Sequence, residues 1–147
     1  MGDCVRTRLV VLGGIGVGKT SIIKQFLYKT FNEKHKCTVE DLYSREFDIG
    51  HMSINVDILD TAGDNQFPAM RRLSIQNAQA FLLVYSITDE ISFEVLKNTL
   101  TEISECRADM EDVPIIVVGN KLDLVSQREV MREDVAEHIF CVLPRLW

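Results

Sequence analysis

Eight consecutive residues, Gly13-Gly14-Ile15-Gly16-Val17-Gly18-Lys19-Thr20, fit the pattern G-x-x-x-x-G-K-[ST]. The glycines of such a loop let backbone N–H groups close around phosphate oxygens. Lys19 adds a point charge for β- and γ-phosphates, and the Thr20 hydroxyl is a ligand for magnesium. The chemistry implied is capture of a nucleotide's phosphate chain, with contacts running on to Ser21. Two further runs extend it. Asp60-Thr61-Ala62-Gly63 offers a carboxylate to hold magnesium, usually through water, and a Gly63 amide for a γ-phosphate oxygen. Asn120-Lys121-Leu122-Asp123 ends in a carboxylate able to accept both N1–H and the exocyclic amine of guanine, a donor pair that adenine lacks. Alone, that four-letter run is as readily a solvated turn. Three such runs in order, each at a strand end, point jointly to a guanine nucleotide, and an ATP-using enzyme is disfavoured by Asp123.

The elements that must position these residues are legible from periodicity. Thr7 to Leu12 reads as a short apolar strand feeding the glycine loop. Ser21 to Lys29 reads as a helix with Ile22, Ile23, Phe26 and Leu27 on one face, its N-terminal dipole directed at the phosphates. Tyr43–Ile49 and Ser53–Leu59 form a predicted hairpin turning at Gly50-His51, with Ile54, Val56 and Ile58 alternating. Pro68–Asn77 is a predicted helix and Ala80–Ser86 a buried strand. Ser92–Cys106 is a helix with Ser92 as N-cap and Phe93, Leu96, Leu100 and Ile103 on its inner face. Pro114–Gly119 is a further buried strand, and Arg132–Phe140 a last helix with Val135 and Ile139 at i, i+4 spacing. The order predicts a single three-layer α/β domain, mostly parallel with one antiparallel edge strand, binding its ligand beyond the carboxyl ends of the strands.

Composition narrows the function class. The chain has 147 residues, 46% of them hydrophobic and 26% charged, enough for one ordinary core. A net charge of −6 opposes a broad nucleic-acid-binding face. The longest apolar runs are too short to span a bilayer, and a cytoplasmic monomer is expected. Cys4, Cys37, Cys106 and Cys141 are scattered, which suggests reduced thiols rather than disulfides or a zinc site.

On Gly13–Thr20, Thr38-Val39-Glu40-Asp41, Asp60–Gly63 and Asn120–Asp123, the chain resembles the Ras family of small GTPases, from about Arg8 to Glu137. Phe67-Pro68-Ala69-Met70-Arg71-Arg72-Leu73-Ser74 is most similar to the Di-Ras and Dexras branches. The resemblance implies a P-loop GTPase domain binding GTP or GDP with magnesium. It makes Phe31 a stacking partner of guanine. Thr38 becomes a magnesium ligand that engages only with GTP and releases after hydrolysis. Residues 32–43 and 63–74 become the two switch segments, through which effector and regulatory proteins bind. The Arg71-Arg72 pair is expected on an exposed helix face near the second switch.

Departures from the family pattern carry their own expectations. Family members usually place glutamine after the glycine of D-T-A-G to orient the attacking water; here Asp64 stands there, followed by Asn65. Asp64 cannot donate to that water and adds negative charge near the γ-phosphate. Ile15 occupies a loop position that is glycine in Ras itself, where a branched side chain crowds the γ-phosphate and blocks an arginine finger. Catalysis, resting on Lys19, Thr38 and Asp64, is therefore expected to be slow. The opposing reading is that Ile15 packs on the second switch and Asp64 points into solvent. His35 and Cys37 replace tyrosine and proline in the first switch, which loosens it. Met1 to Arg6 lacks the hydroxyl residue of a myristoylation signal. The chain ends at Trp147, where the family continues into a last strand, a guanine-contacting S-A-K motif and a closing helix, and without a prenylation box. A fragment or alternative isoform is expected, with an apolar sheet face left uncovered and membrane attachment, at the plasma membrane, reserved for a longer form. Two alternatives to a slow GTPase switch stay open: a GTP-holding module that does not turn over, and a product impaired in nucleotide binding.

Overall fold

The computed structural model describes residues 4–29, 40–63 and 67–143. Along the chain run β1 (Cys4–Gly13), α1 (Lys19–Tyr28), β2 (Glu40–Ile49), β3 (Met52–Thr61), α2 (Pro68–Asn77), β4 (Ala80–Ser86), α3 (Glu90–Cys106), β5 (Ile115–Asn120) and α4 (Arg132–Val142). Short 3-10 turns lie at Met110–Asp112 and Leu122–Gln127. The strands form one five-stranded sheet in the order β2-β3-β1-β4-β5. β1 pairs in parallel with β3 and β4, and β4 with β5, while β2 and β3 are antiparallel. The three-layer α/β reading with one antiparallel edge strand therefore holds.

β1 shows why the sheet is covered on both faces. Val10, Val11 and Leu12 are consecutive and all fully buried. A strand alternates its side chains, so Val11 joins Val17, Ile23, Leu27, Ile58 and Val84 beneath α1, while Val10 and Leu12 join the larger cluster on the opposite face. That larger cluster takes Ile75 from α2, Leu96, Leu100 and Ile103 from α3, and Ile139 from α4. β5 is not the buried strand expected: of its six residues only Ile115 is buried, and on its α1 face Ile116 is 62% exposed. Among the described residues no helix is long and apolar enough to cross a membrane.

The bounds of α2 and β4 coincide with those predicted, and Gly50, at φ +63°, makes the hairpin turn. Three further expectations need correction. The N-cap of α3 is Asp89, whose Oδ1 accepts from the Ile91 amide at 3.0 Å; Ser92 lies inside the helix and its hydroxyl serves the end of β4, accepting from the Ser86 amide at 2.9 Å. Phe26 does not join the buried face of α1: it is 56% exposed and stacks on Phe47 of β2 with ring centroids 5.9 Å apart. Arg71 and Arg72 part company, since Arg72 is exposed while the Arg71 side chain is 13% exposed and ion-paired to Glu102.

Candidate functional site

The loop between β1 and α1 gathers most of the predicted residues. Its backbone turns through Gly16 (φ +74°) and Gly18 (φ +98°), the latter capping α1. Two glycines are also required by close approach. A Cβ on Gly13 would overlap the Val84 carbonyl of β4, and one on Gly18 would overlap the Asn120 amide of β5. Val17 is buried beneath the loop, whereas Ile15 is 60% exposed at its rim. Lys19 is buried and its ammonium donates to the carbonyls of Gly13 (3.1 Å) and Gly14 (2.8 Å), so the charge is fixed inside the loop's curve. Ser21 follows in the first turn of α1, half-buried.

The end of β3 lies against this loop because β1 and β3 pair in register, with Val11 opposite Asp60. Asp60 is fully buried. Its Oδ2 accepts from the Thr20 hydroxyl at 2.5 Å. Among the described residues its Oδ1 has no hydrogen-bond partner. Burial pushes the carboxyl up from its ordinary range, against the Thr20 bond and the Lys19 charge, which pull it down. A buried carboxylate oxygen without a partner is costly unless a cation meets it. The site therefore passes a test for magnesium: two hard oxygen ligands, one carboxylate and one hydroxyl, stand together with an unused lone pair. Among the described residues no three His, Cys, Asp or Glu side chains converge on a metal position.

Two residues of D-T-A-G do further work. Thr61, to which the sequence assigned no role, donates from its hydroxyl to the Val11 carbonyl at 2.7 Å and so ties the end of β3 to β1. Gly63 passes so close that a Cβ there would lie 2.7 Å from both N and Cα of Ile15. The chain leaving Gly63 thus starts beside the rim residue Ile15.

At the far side, Asn120 donates from Nδ2 to the Val17 carbonyl at 2.9 Å, joining the end of β5 to the phosphate loop. The Asn120 carbonyl accepts from Ile87 at 3.1 Å, which ties β5 to the segment after β4. Lys121 adopts φ +67°, turning the chain into the 3-10 turn that carries Asp123. Asp123 is exposed there, at the second position of that turn. The structure thus unites Gly13 to Ser21, Asp60, Gly63 and Asn120 by direct contacts, with Lys121 and Asp123 continuing from Asn120. Phe31, Thr38 and Asp64 lie outside the described residues, as do His35 and Cys37.

Other supporting residues gave little sequence signal. Arg71 of α2 reaches Glu102 and Thr99 of α3. Arg107 reaches back to α2, with Nη1 donating to the carbonyls of Ile75 (3.0 Å) and Ala78 (2.6 Å). Their partners are distant in sequence, and only a basic residue at a helix end hinted at the second.

The Ras family model matches residues 8–140. The chain is 43% identical over 140 residues to the GTP-binding proteins Di-Ras2 of Pongo abelii and Macaca fascicularis, covering 95% of this chain and 68% of each relative. It is 42% identical, with the same coverage, to Di-Ras2 of Mus musculus. On these grounds the chain belongs to the Ras family of small GTPases and is Di-Ras-like.

Proposed function

We propose that residues 1–147 act as one guanine-nucleotide-binding switch domain that holds GTP or GDP with magnesium and hydrolyses GTP slowly. The observation that carries this reading is the buried Asp60, with Oδ1 unpartnered and Oδ2 on the Thr20 hydroxyl, beside a loop whose curve encloses the Lys19 ammonium. Gly13 to Ser21 would cradle the phosphates. Thr20 and Asp60, with Thr38, would hold the metal, which when bound neutralises phosphate charge. Asn120, Lys121 and Asp123 would hold the base, Asp123 by a bidentate bond to guanine, with Phe31 stacked on it. The Lys19 ammonium, now on the carbonyls of Gly13 and Gly14, would meet phosphate oxygens there. The base end and the phosphate end are kept at a fixed separation by the Asn120–Val17 bond.

Slow hydrolysis would follow from Ile15, exposed at the rim of the loop, and from the acidic residue type at position 64. Ile15 is exposed where a γ-phosphate and an arginine finger would meet, and the chain that leaves Gly63 toward Asp64 begins against the Ile15 backbone. Asp64 accepts hydrogen bonds but cannot donate one to orient an attacking water, and its charge opposes the nucleophile's approach. Effector and regulatory proteins would engage residues 32–43 and 63–74, with the protein acting as a cytoplasmic monomer. The same two residues also favour a second reading, in which the domain holds GTP and does not turn over.

Nucleotide released on denaturing protein purified in magnesium tests the reading. GTP as the main species is expected, whereas protein that neither carries nor binds a guanine nucleotide would falsify it. Single-turnover phosphate release separates slow from absent hydrolysis. Ile15→Gly with Asp64→Gln should accelerate it, and an unchanged rate would remove both residues from the explanation.

A further inference from the structure

The turn that carries Asp123 buries none of its residues, Leu122–Gln127. Packing therefore does little to place it, and its position depends on how its two ends are held. Both ends meet one residue, Ile87, in the segment between β4 and α3. Before the turn, the Ile87 amide donates to the Asn120 carbonyl at 3.1 Å. Beyond it, the Ile87 carbonyl accepts from the amides of Glu129 (2.8 Å) and Val130 (3.0 Å). What holds Ile87 in its turn is a hydroxyl on α3. The amides of Phe81 and Ile87 both donate to the β5 side, so alternation along β4 turns the Ser86 amide the other way. There β1 has already ended, its pairing with β4 stopping at Gly13 opposite Val84. The Ser92 hydroxyl takes the place of the missing strand, accepting from the Ser86 amide at 2.9 Å and donating to the Asp89 carbonyl at 2.6 Å. Ser86 and Ser92 are both buried, so solvent does little to weaken the bond.

We infer that Ser92 is a positioning residue for base recognition: by fixing Ser86 to Asp89 it holds Ile87, and through Ile87 both ends of the turn that presents Asp123 to guanine. Buried at the start of α3, it is not itself a ligand contact. The inference rests on the guanine-nucleotide reading and deepens it, because discrimination between bases then depends on a hydroxyl of α3 as well as on Asp123. A bidentate bond is sensitive to small displacements, since misalignment on one donor leaves a single bond. Ser92→Ala leaves the buried Ser86 amide without its acceptor, and the segment must shift or open to find another. The turn then loses its fixed start and its fixed end together.

The test compares GDP with inosine diphosphate, which keeps N1–H and lacks the exocyclic amine, by competition against a fluorescent GDP in magnesium. The unmutated protein should prefer GDP by about tenfold to a hundredfold, the range of one hydrogen bond to a charged acceptor. Ser92→Ala should reduce that preference by about threefold to tenfold and quicken amide hydrogen exchange across residues 121–130. Thr99→Ala is the control, since it removes another buried hydroxyl of α3, one that serves Val95 and Arg71 rather than Ser86. It should lower Tm comparably and leave the preference unchanged. Ser92→Cys, similar in volume but a weaker acceptor and donor, should shift the preference the same way by less, and it decides the matter where Ser92→Ala does not fold. An unchanged preference in Ser92→Ala, or in Ser92→Cys where that stands in its place, overturns the inference whatever happens to Tm. So does an equal loss in Thr99→Ala, because discrimination then tracks a general loosening of α3. Equal binding of GDP and inosine diphosphate by the unmutated protein overturns it as well, Asp123 then reading no amine. Binding of neither, or of ADP as tightly as GDP, overturns the functional reading and the inference together.

Discussion

Arg107 is the second tie on α2, and its removal should be one of the more damaging single changes outside the nucleotide loop. The Ile75 carbonyl lies in the last turn of α2, and the amide four residues on, that of Gln79, is given to the Arg8 carbonyl at 2.9 Å instead. Ala78 follows the helix and its carbonyl also looks inward. Both oxygens are served by one Arg107 nitrogen, at 3.0 and 2.6 Å. The guanidinium is only 13% exposed and also forms a fork on Asp109, whose side chain is 54% exposed. Arg107→Met keeps the stem but strands both carbonyls. Each stranded acceptor costs about 1–3 kcal/mol. Partial access of water lowers the sum, so roughly 2–4 kcal/mol is expected, a fall in Tm of roughly 6–16 °C for a domain of this size.

The assay is thermal unfolding at a fixed saturating concentration of GDP, because bound ligand shifts Tm by mass action. Asp109→Asn is the control. It breaks the exposed fork while leaving the carbonyl bonds in place, so its Tm should stay near that of the unmutated protein. Arg107→Lys should fall between, since an ammonium reaches carbonyls without matching both at once. If Arg107→Met and Asp109→Asn lower Tm equally, the salt bridge carries the effect and the capping argument is wrong. A shift for Arg107→Met of no more than a degree or two would show that the carbonyls find water at no cost.

Three further outcomes follow from the site and the sheet. Gly18→Ala forces a left-handed backbone (φ +98°) costing about 1–2 kcal/mol and drives a methyl into the Asn120 amide. GDP affinity by fluorescence titration should fall tenfold or more, roughly the strain plus the lost Asn120–Val17 bond, and normal affinity would contradict the geometry. Asp60→Asn removes a fully buried carboxylate with an unpartnered oxygen. It should raise the Tm of nucleotide-free protein in chelator while abolishing the slowing of GDP release by magnesium; a lower Tm would show that the charge is better solvated than its burial implies. Asp57, buried among Arg6 (2.7 Å), Ser44 (2.7 Å) and Arg8 (3.8 Å), is held below the usual carboxylate range, first by the Arg6 hydrogen bond and then by that of Ser44. Its stabilisation is present above the unfolded carboxylate range and lost as pH falls through the folded value. The urea midpoint of Asp57→Asn should therefore trail the unmutated protein at neutral pH and converge with it in strong acid, and a constant gap would count against the linkage.

The sequence was most readable where the structure is locally determined. Pro at the first position of α2 and the unbroken apolar run of β4 mark their own ends, and the predicted bounds match. Strand ends set by pairing were read short: Cys4 to Arg6 carry no apolar alternation and extend only because they pair with Ser53 to Asn55 of β3. Ser92 looked like a cap because caps are recognised by type, but Asp89 takes that place, leaving the serine to satisfy the end of β4. At the site, contiguous residues announced the phosphate loop, while the bonds that assemble it did not. Asn120 and Val17 are 103 residues apart, and Thr61 and Val11 are separated by 50. Arg71 looked like a solvated charge because nothing nearby in sequence identifies Glu102 as its partner.

The strand order explains why one hydrogen bond can matter so much. β1 lies between β3 and β4, so the sheet grows outward from it in both directions, and the crevice where a ligand binds opens at the carboxyl end of β1. In the proposed reading the residues that would hold the metal arrive from the β3 side through Asp60, and those that would hold the base from the β5 side through Asn120. These halves share little beyond the loop itself. Gly13 rests on the Val84 carbonyl, Thr61 is tied to Val11, and Asn120 is tied to Val17. Each tie ends on β1 or on the loop it feeds, so that strand and loop form the common reference from which phosphate, metal and base positions are measured. A change that moves the loop backbone, as at Gly18, disturbs all three positions together, whereas loss of a side chain at Asp60 or Asp123 disturbs one. The physical content of a nucleotide switch in this chain therefore lies less in any single ligand-contacting group than in the rigidity with which β1 and its loop hold those groups in register.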